Sequence, residues 1–304
     1  VGVYEDFCYR CNGIIGRAVV RELLQQDHQV LGLARTEQSA QELRNIGVFP
    51  ISGSLGTPDV LLAMAQQADA VIHLGYPRNP ADFPHADSLD ALEVSALAKD
   101  IGDSGKPLLL TSGNSMFNMP LTPHPATKQP QAPVHLPHKR IKLANRLIAQ
   151  DQPVALIHLA PVVLSAASSP LLQKLRHIAL QKGTAAYLGT GQNIWRSIQA
   201  VDAAHLYVLV LNYLLQNSDS PQHHFLAATS DGGNLRAITT GIGQQVGVPT
   251  RALPETQSDW FGSLHDLLLL DTPRIQRPPF KWQPTVPTVL TDLITAGRQQ
   301  ELAG

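Results

Sequence analysis

The chain has 304 residues, of which 43% are hydrophobic and 15% charged, and a formal net charge of −1. This composition supplies one large α/β core, or a core with a smaller lobe, and excludes a disordered chain. The near-neutral charge argues against a nucleic-acid or anionic-membrane surface, and no apolar run reaches the roughly 18 residues of a membrane span.

The first informative stretch, Tyr4–Gly16, reads YEDFCYRCNGIIG. Gly13 and Gly16, with Ile14 and Ile15 between them, fit the last two glycines of a strand–turn–helix phosphate cradle. Glycine allows the tight turn and the close approach of backbone to a pyrophosphate, and the helix amides that follow point at the anion. The first glycine of such a turn belongs at position 10, where the sequence has Arg10. Shifting the reading frame by one base over Tyr4–Gly13 permits the codons of Met-Lys-Ile-Phe-Val-Thr-Gly-Ala-Thr-Gly. That single shift restores a start codon, a hydrophobic strand and the missing glycine. Residues 1–12 are therefore expected to be a frame-shifted reading, with the true start at the Tyr4 codon.

Beyond the turn, Ile14–Gln26 has apolar residues at helical spacing and Gln29–Ala34 reads as a short buried strand. Glu37–Asn45 predicts a helix, Val48–Ile51 a third strand, Asp59–Gln67 a helix opened by Pro58, and Ala70–Leu74 a fourth strand. Ser88–Asp103 predicts a further helix and Pro107–Thr111 a fifth strand. Alternation at these lengths means a parallel sheet covered on both faces, a Rossmann-type doubly wound α/β fold. Ligands bind such sheets at the carboxyl ends of the strands. That rule puts Gly13, Ala34–Arg35, Gly75–Tyr76 and Ser112–Gly113 on one rim.

Asn118–Pro137 is too rich in proline for a helix or central strand and is expected to form a lid beside the rim. His138–Gln150 predicts a helix and Pro153–Leu159 a sixth strand. After Pro161 the texture changes. Leu171–Gln181 reads as a helix, Ala185–Leu188 as a strand and Gly189–Trp195 as a turn. Asp202–Leu215 is a strongly apolar helix expected to pack back on the main sheet. His224–Ala228 reads as a strand, Asn234–Val246 and Ser258–Leu270 as helices, and Trp282–Gln300 as a closing segment. The expected division is a dinucleotide-binding domain over residues 1–165 and a smaller substrate-binding lobe over 166–304.

Both cysteines, Cys8 and Cys11, stand in the suspect first stretch. A single Cys-x-x-Cys makes no zinc framework, and a chain without disulfides fits the cytoplasm, as does the lack of a convincing signal peptide. The twelve histidines are scattered, with no carboxylate or cysteine at ligand spacing, so no metal is expected.

The pieces GIIGRAVVRELLQQ, AVIHL, LLLTSG, LAPVV, YLGTGQNIW, SIQAVDAAHLYVLVL and FKWQPTVP occur in that order along the chain. Together they resemble an extended or atypical short-chain dehydrogenase/reductase of the NAD-dependent epimerase/dehydratase superfamily, over nearly the whole length. The resemblance implies a nicotinamide cofactor at the rim. It also implies a Ser or Thr after the fifth strand and a Tyr-x-x-x-Lys on the next helix. In that arrangement a tyrosinate moves a proton, while the lysine lowers its pKa and holds the ribose.

Lys142 matches the lysine, but the tyrosine position is His138 and the serine position falls on Gly113, between Ser112 and Ser115. The catalytic candidates are thus Lys142, His138, Ser112 and Ser115. The cofactor-binding candidates are Gly13, Ile14, Ile15, Gly16, Ala34, Arg35, Leu74, Gly75 and Lys142. The family's acidic residue at the end of the second strand, which suits NAD, is replaced by Ala34. Arg35 can pair with a 2′-phosphate, so NADP is expected over NAD.

Relatives commonly pair through the helices after the fourth and fifth strands, which makes a homodimer the expected assembly. Two classes of function stay open. One is an NAD(P)-dependent oxidoreductase or epimerase-like enzyme acting on a small carbonyl, hydroxyl or sugar-nucleotide-like substrate. The other is a catalytically degenerate NAD(P)-binding sensor or regulatory protein.

Overall fold

A computed structural model describes residues 5–9, 11, 13–53, 58–74, 94–98, 104–112, 138–165, 169–216, 222–229, 232–272 and 278–284. The strand β1 (Glu5–Tyr9) lies between β2 (Gln29–Ala34) and β4 (Ala70–His73), with β3 (Phe49–Ser52) beyond β2. On the other side β5 (Leu108–Ser112), β6 (Val154–Leu159) and, from much later in the chain, β10 (His224–Ala227) complete a seven-stranded sheet. Every neighbouring pair in it is parallel. The strands β4, β5 and β6 are buried along their whole length, which explains their near-continuous apolar sequences AVIH, LLLTS and VALIHL.

Helices cover both faces. On the first lie α1 (Ile14–Gln25), α2 (Glu37–Asn45) and, from the second half of the chain, α6 (Ala200–Gln216). Val19, Val20 and Leu23 of α1 share a core with Leu206, Val210 and Leu211 of α6. The apolar helix predicted over Asp202–Leu215 does pack back on the main sheet. The second face carries α3 (Pro58–Gln67) and α4 (His138–Ile148), whose Leu61, Ala65, Ala144 and Leu147 pack on Val71, Leu110 and Leu156. Strand alternation fixes the direction of each side chain. On β5, Leu109 joins the first core, and Leu108 and Leu110 join the second, so Ser112 faces α4.

A further core gathers α5 (Pro170–Lys182), β8 (Ala185–Leu188), α7 (Leu235–Val246) and β12 (Thr250–Leu253) around the fully buried Trp195. The Trp195 indole donates to the Leu270 carbonyl at 3.2 Å.

Here the structure corrects the sequence reading. Only residues 189–193 form the turn expected over Gly189–Trp195. Ile194–Gln199 is the strand β9, parallel to β7 (Val162–Leu164) and antiparallel to β11 (Gly232–Asn234). The helix expected over Ser258–Leu270 is broken into two 3-10 turns and the short α8 (His265–Leu268). Gly262, at φ +53°, takes a left-handed conformation that regular helix excludes. Asn118–Pro137 and most of Ser88–Asp103 and Trp282–Gln300 lie outside the described residues.

In the centre of the sheet β1 carries a carboxylate where parallel sheets normally place an aliphatic side chain. Asp6 is fully buried, and its Oδ2 lies 2.6 Å from His28 Nδ1. Among the described residues its Oδ1 has no hydrogen-bond partner. Burial pushes the Asp6 carboxyl above its ordinary value, against the pull of His28. The shifted reading frame would put isoleucine at this position.

Candidate functional site

The carboxyl ends of β1, β2, β4, β5 and β6 form the rim. At its centre the chain turns from β1 into α1. Gly13, the N-cap of this 12-residue helix, has no side chain to cap it, and the first turn holds no acidic residue. The amino end of α1 faces the rim, where the helix dipole favours an anion. The neighbouring α2 differs: Thr36 and Ser39 close a capping box and Glu37 occupies its first turn. Below the turn lies Gly32 of β2. A Cβ there would stand 2.7 Å from Val48 and 3.1 Å from the Cys11 sulfur, so glycine lets the turn close onto the sheet. Ala34 ends β2 buried, and Arg35 after it is exposed.

A row of buried polar groups crosses the α4 face of the sheet at the same rim. Arg140, in the first turn of α4, is 2% exposed. Its Nη1 donates to the Thr111 carbonyl at 2.6 Å, and its Nη2 lies 3.4 Å from Nδ1 of His73, the last residue of β4. Next along the row, Ser112 ends β5 at 1% exposure, and among the described residues its hydroxyl has no hydrogen-bond partner. Ser112 is the register partner of His158 on β6. His158 Nε2 lies 3.0 Å from Nδ1 of His224 on β10, with the two rings within 7° of parallel. Burial, and then the neighbouring His224, bring the His158 pKa down to about 3. Burial, and then His223, lower that of His224. Both rings are neutral at neutral pH. On the opposite face, Thr111 Oγ1 meets the Tyr207 hydroxyl of α6 at 2.7 Å, and burial raises the Tyr207 phenol well above its ordinary value.

Residues 11–100 match the family described as NAD(P)H-binding. The uncharacterized protein C2A9.02 of Schizosaccharomyces pombe is 30% identical over 288 residues, which span 92% of this chain and 95% of that one. The UDP-glucose-4-epimerase of Stenotrophomonas maltophila, solved with NAD and formylated UDP-arabinopyranose, has a similar fold. Its TM-score is 0.65 at 17% identity, covering 99% of this chain and 100% of that one. The UDP-Glc/GlcNAc 4-epimerase of Campylobacter jejuni has a TM-score of 0.67 at 16% identity, over 99% of this chain and 100% of that one.

The chain belongs to the same family as that Schizosaccharomyces pombe protein, with an NAD(P)H-binding match over residues 11–100 and a fold like that of the NAD-dependent epimerases. The Rossmann-type fold and the nicotinamide cofactor implied by the sequence pieces go with that membership. The structure itself fits such a cofactor through the uncapped α1 amides at Gly13, the absence of a carboxylate at Ala34 and the exposed guanidinium at Arg35.

The residues singled out from the sequence fall at different places in this fold. Gly13, Ile14, Ile15 and Gly16 open α1, with Gly16 buried against the core. Ala34, Arg35, the half-buried Leu74 and Ser112 all lie on the rim. Gly75 and Ser115 lie outside the described residues, and His138 opens α4 with its side chain likewise undescribed. Lys142 is exposed, whereas Arg140, Ala144 and Leu147 turn toward the strands. The helical period sets this contrast: positions 140, 144 and 147 share one face, and 142 falls on the other side.

Sequence reasoning passed over Arg140, His73, His158 and Tyr207. The signal for two of them was present, because His73 and His158 stand at or near the ends of otherwise apolar strands. Among the described residues no group of three or more His, Cys, Asp or Glu side chains could hold a metal ion. None of the described helices is long and apolar enough to cross a membrane.

Proposed function

We propose that this chain is an NAD(P)-dependent oxidoreductase or epimerase-like enzyme that prefers NADP. Its substrate would be a small carbonyl or hydroxyl compound or a sugar nucleotide, the class named for its structural neighbours. The observation that carries this reading is Ser112. A buried hydroxyl with no partner among the described residues costs about 1–3 kcal/mol, and it lies on the rim that the α1 amides share. An oxygen-bearing substrate would repay that cost.

The cofactor, when bound, would supply or accept a hydride at the rim. The chain's own part is to hold and move the proton that accompanies it. Ser112 would donate a hydrogen bond to the substrate oxygen. Arg140 keeps the carboxyl ends of β4 and β5 together, through His73 and the Thr111 carbonyl, and so holds Ser112 in place. The absence of tyrosine at position 138 favours the second reading, a cofactor-binding sensor without turnover.

The test is fluorescence titration with NADPH and NADH, followed by cofactor consumption against aldehydes, ketones and UDP- or dTDP-sugars. Binding with turnover supports the enzyme, and binding without turnover across the panel supports the sensor. Failure to bind either cofactor overturns both.

A further inference from the structure

We propose that Tyr207 is a positioning residue: from α6 it sets where the end of β5, and with it Ser112, stands relative to the amino end of α1. The inference rests on the hydride-transfer reading above, in which Ser112 meets the substrate oxygen.

The need for such a group follows from the sheet. Among the described residues the β4–β5 pairing stops at His73 and Leu110. Thr111 and Ser112 run one and two residues past it and pair on the β6 side, with Ile157 and His158. A strand end with a ladder on one side has less to hold its direction and backbone groups to satisfy on the other. Two side chains from distant parts of the chain make up the difference, and both bind Thr111. Arg140 of α4 donates to its carbonyl at 2.6 Å, and Tyr207 of α6 meets its hydroxyl at 2.7 Å. Along β5 the Thr111 side chain shares the face of Leu109, opposite Ser112, so the two contacts grip the strand end from opposite faces. Thr111 is 8% exposed and Tyr207 is fully buried, so water does not compete for the hydroxyl contact.

Tyr207 differs from Arg140 in what stands behind it. Its helix is the one on which α1 packs: Leu206, Val210 and Leu211 share a core with Val19, Val20 and Leu23. The amino end of α1 is where the dinucleotide would sit. Tyr207 therefore ties the helix that seats the cofactor to the strand that carries the serine. Hydride and proton must reach the same carbonyl group, and a misplacement of about 1 Å costs about 100-fold in rate. A residue needed only for packing would serve as well without its hydroxyl.

The experiment uses the full chain with Tyr207→Phe, Thr111→Val and the two substitutions combined. Each single substitution leaves the other hydroxyl buried without this partner and should lower the urea midpoint. Replacing both by apolar groups of like shape should restore most of it. NADPH turnover, with whichever carbonyl substrate the panel above yields, should fall about tenfold or more in all three, with KM for NADPH unchanged. It should stay low in the combined variant although stability has returned. The Ser112 amide, followed by 15N relaxation and hydrogen exchange, should loosen in the same three. Turnover that recovers together with stability in the combined variant would overturn the proposal, because Tyr207 would then only pack. So would a Ser112 amide as ordered in Tyr207→Phe as in wild type. If wild type turns over nothing in the panel, the hydride-transfer reading fails by itself. The order of Ser112 alone then decides whether Tyr207 positions the strand end.

Discussion

Arg35→Ala tests the cofactor preference most directly. Arg35 is exposed and follows Ala34, so nothing acidic at position 34 would repel a 2′-phosphate. Two unit charges about 4 Å apart gain about 1 kcal/mol in bulk water and about 4 kcal/mol at an effective dielectric near 20. The exposure of Arg35 puts it toward the aqueous end, and salt screens it further. A phosphate charge of about −1.5 to −2 brings the net to about 1.4–2 kcal/mol, roughly 10- to 30-fold in dissociation constant.

The assay is fluorescence titration with NADPH and NADH, on wild type and Arg35→Ala, at low and high salt. Wild type should bind NADPH the more tightly. The substitution should remove most of that difference by weakening NADPH alone, and high salt should mimic it. A wild-type preference for NADH, or a preference for NADPH that survives the loss of Arg35, would refute the assignment.

Two further outcomes follow from burial. Asp6→Asn should stabilise the fold by about 1–3 kcal/mol near pH 8. Burial raises the folded-state pKa of Asp6, so the cost of its charge is fully present above that pKa and gone below the unfolded value of 3.8; urea unfolding should therefore show the gain shrinking as the pH falls, and a gain independent of pH would contradict the account. Lys142→Ala should change NADPH affinity less than about threefold, because the side chain is exposed and the cation turned toward the strands is Arg140; a loss of roughly 100-fold in turnover, the scale of general acid–base work, would restore Lys142 to the role its motif position implies.

The alternation of strands and helices over Ile14–His73 and His138–Leu159, with β5 between them, was legible because each element is long enough for its period to show. Elsewhere the signal was too short or too distant. A three-residue strand such as β7 or β11 has no period to read. The alternating IWRSIQ of β9 was hidden by the glycine turn that leads into it. That β10 joins the main sheet beside β6 is a long-range pairing on which local pattern is silent. The same holds for Thr111 and Tyr207, which meet across 96 positions. Arg140 was different. Its inward face follows from the spacing 140–144–147, but an arginine reads as surface until its helical neighbours are taken as its guide.

The charges at the rim bear on what it can hold. The chain as a whole is near neutral, which says only that its surface does not act as a broad cationic patch. The rim itself concentrates positive potential: the uncapped amino end of α1, the exposed Arg35 beyond β2, and the buried Arg140 between β4 and β5. Glu37, two residues after Arg35, pairs with Arg44, and Asp6, three residues inside the end of β1, pairs with His28. His73, His158 and His224 add hydrogen-bonding capacity to the rim. A dinucleotide brings its own negative charges, and the three positive sites lie along the strands that a dinucleotide spans in such a sheet. What Tyr-x-x-x-Lys supplies in the wider superfamily is a phenol kept ionisable by a nearby ammonium. Here α4 turns a guanidinium to the strands, and a guanidinium is not deprotonated in proteins. Arg140 can orient oxygen and hold charge but cannot give up a proton. If the site performs hydride transfer, the described groups beside Arg140 that can carry its proton are the Ser112 hydroxyl and the rim imidazoles.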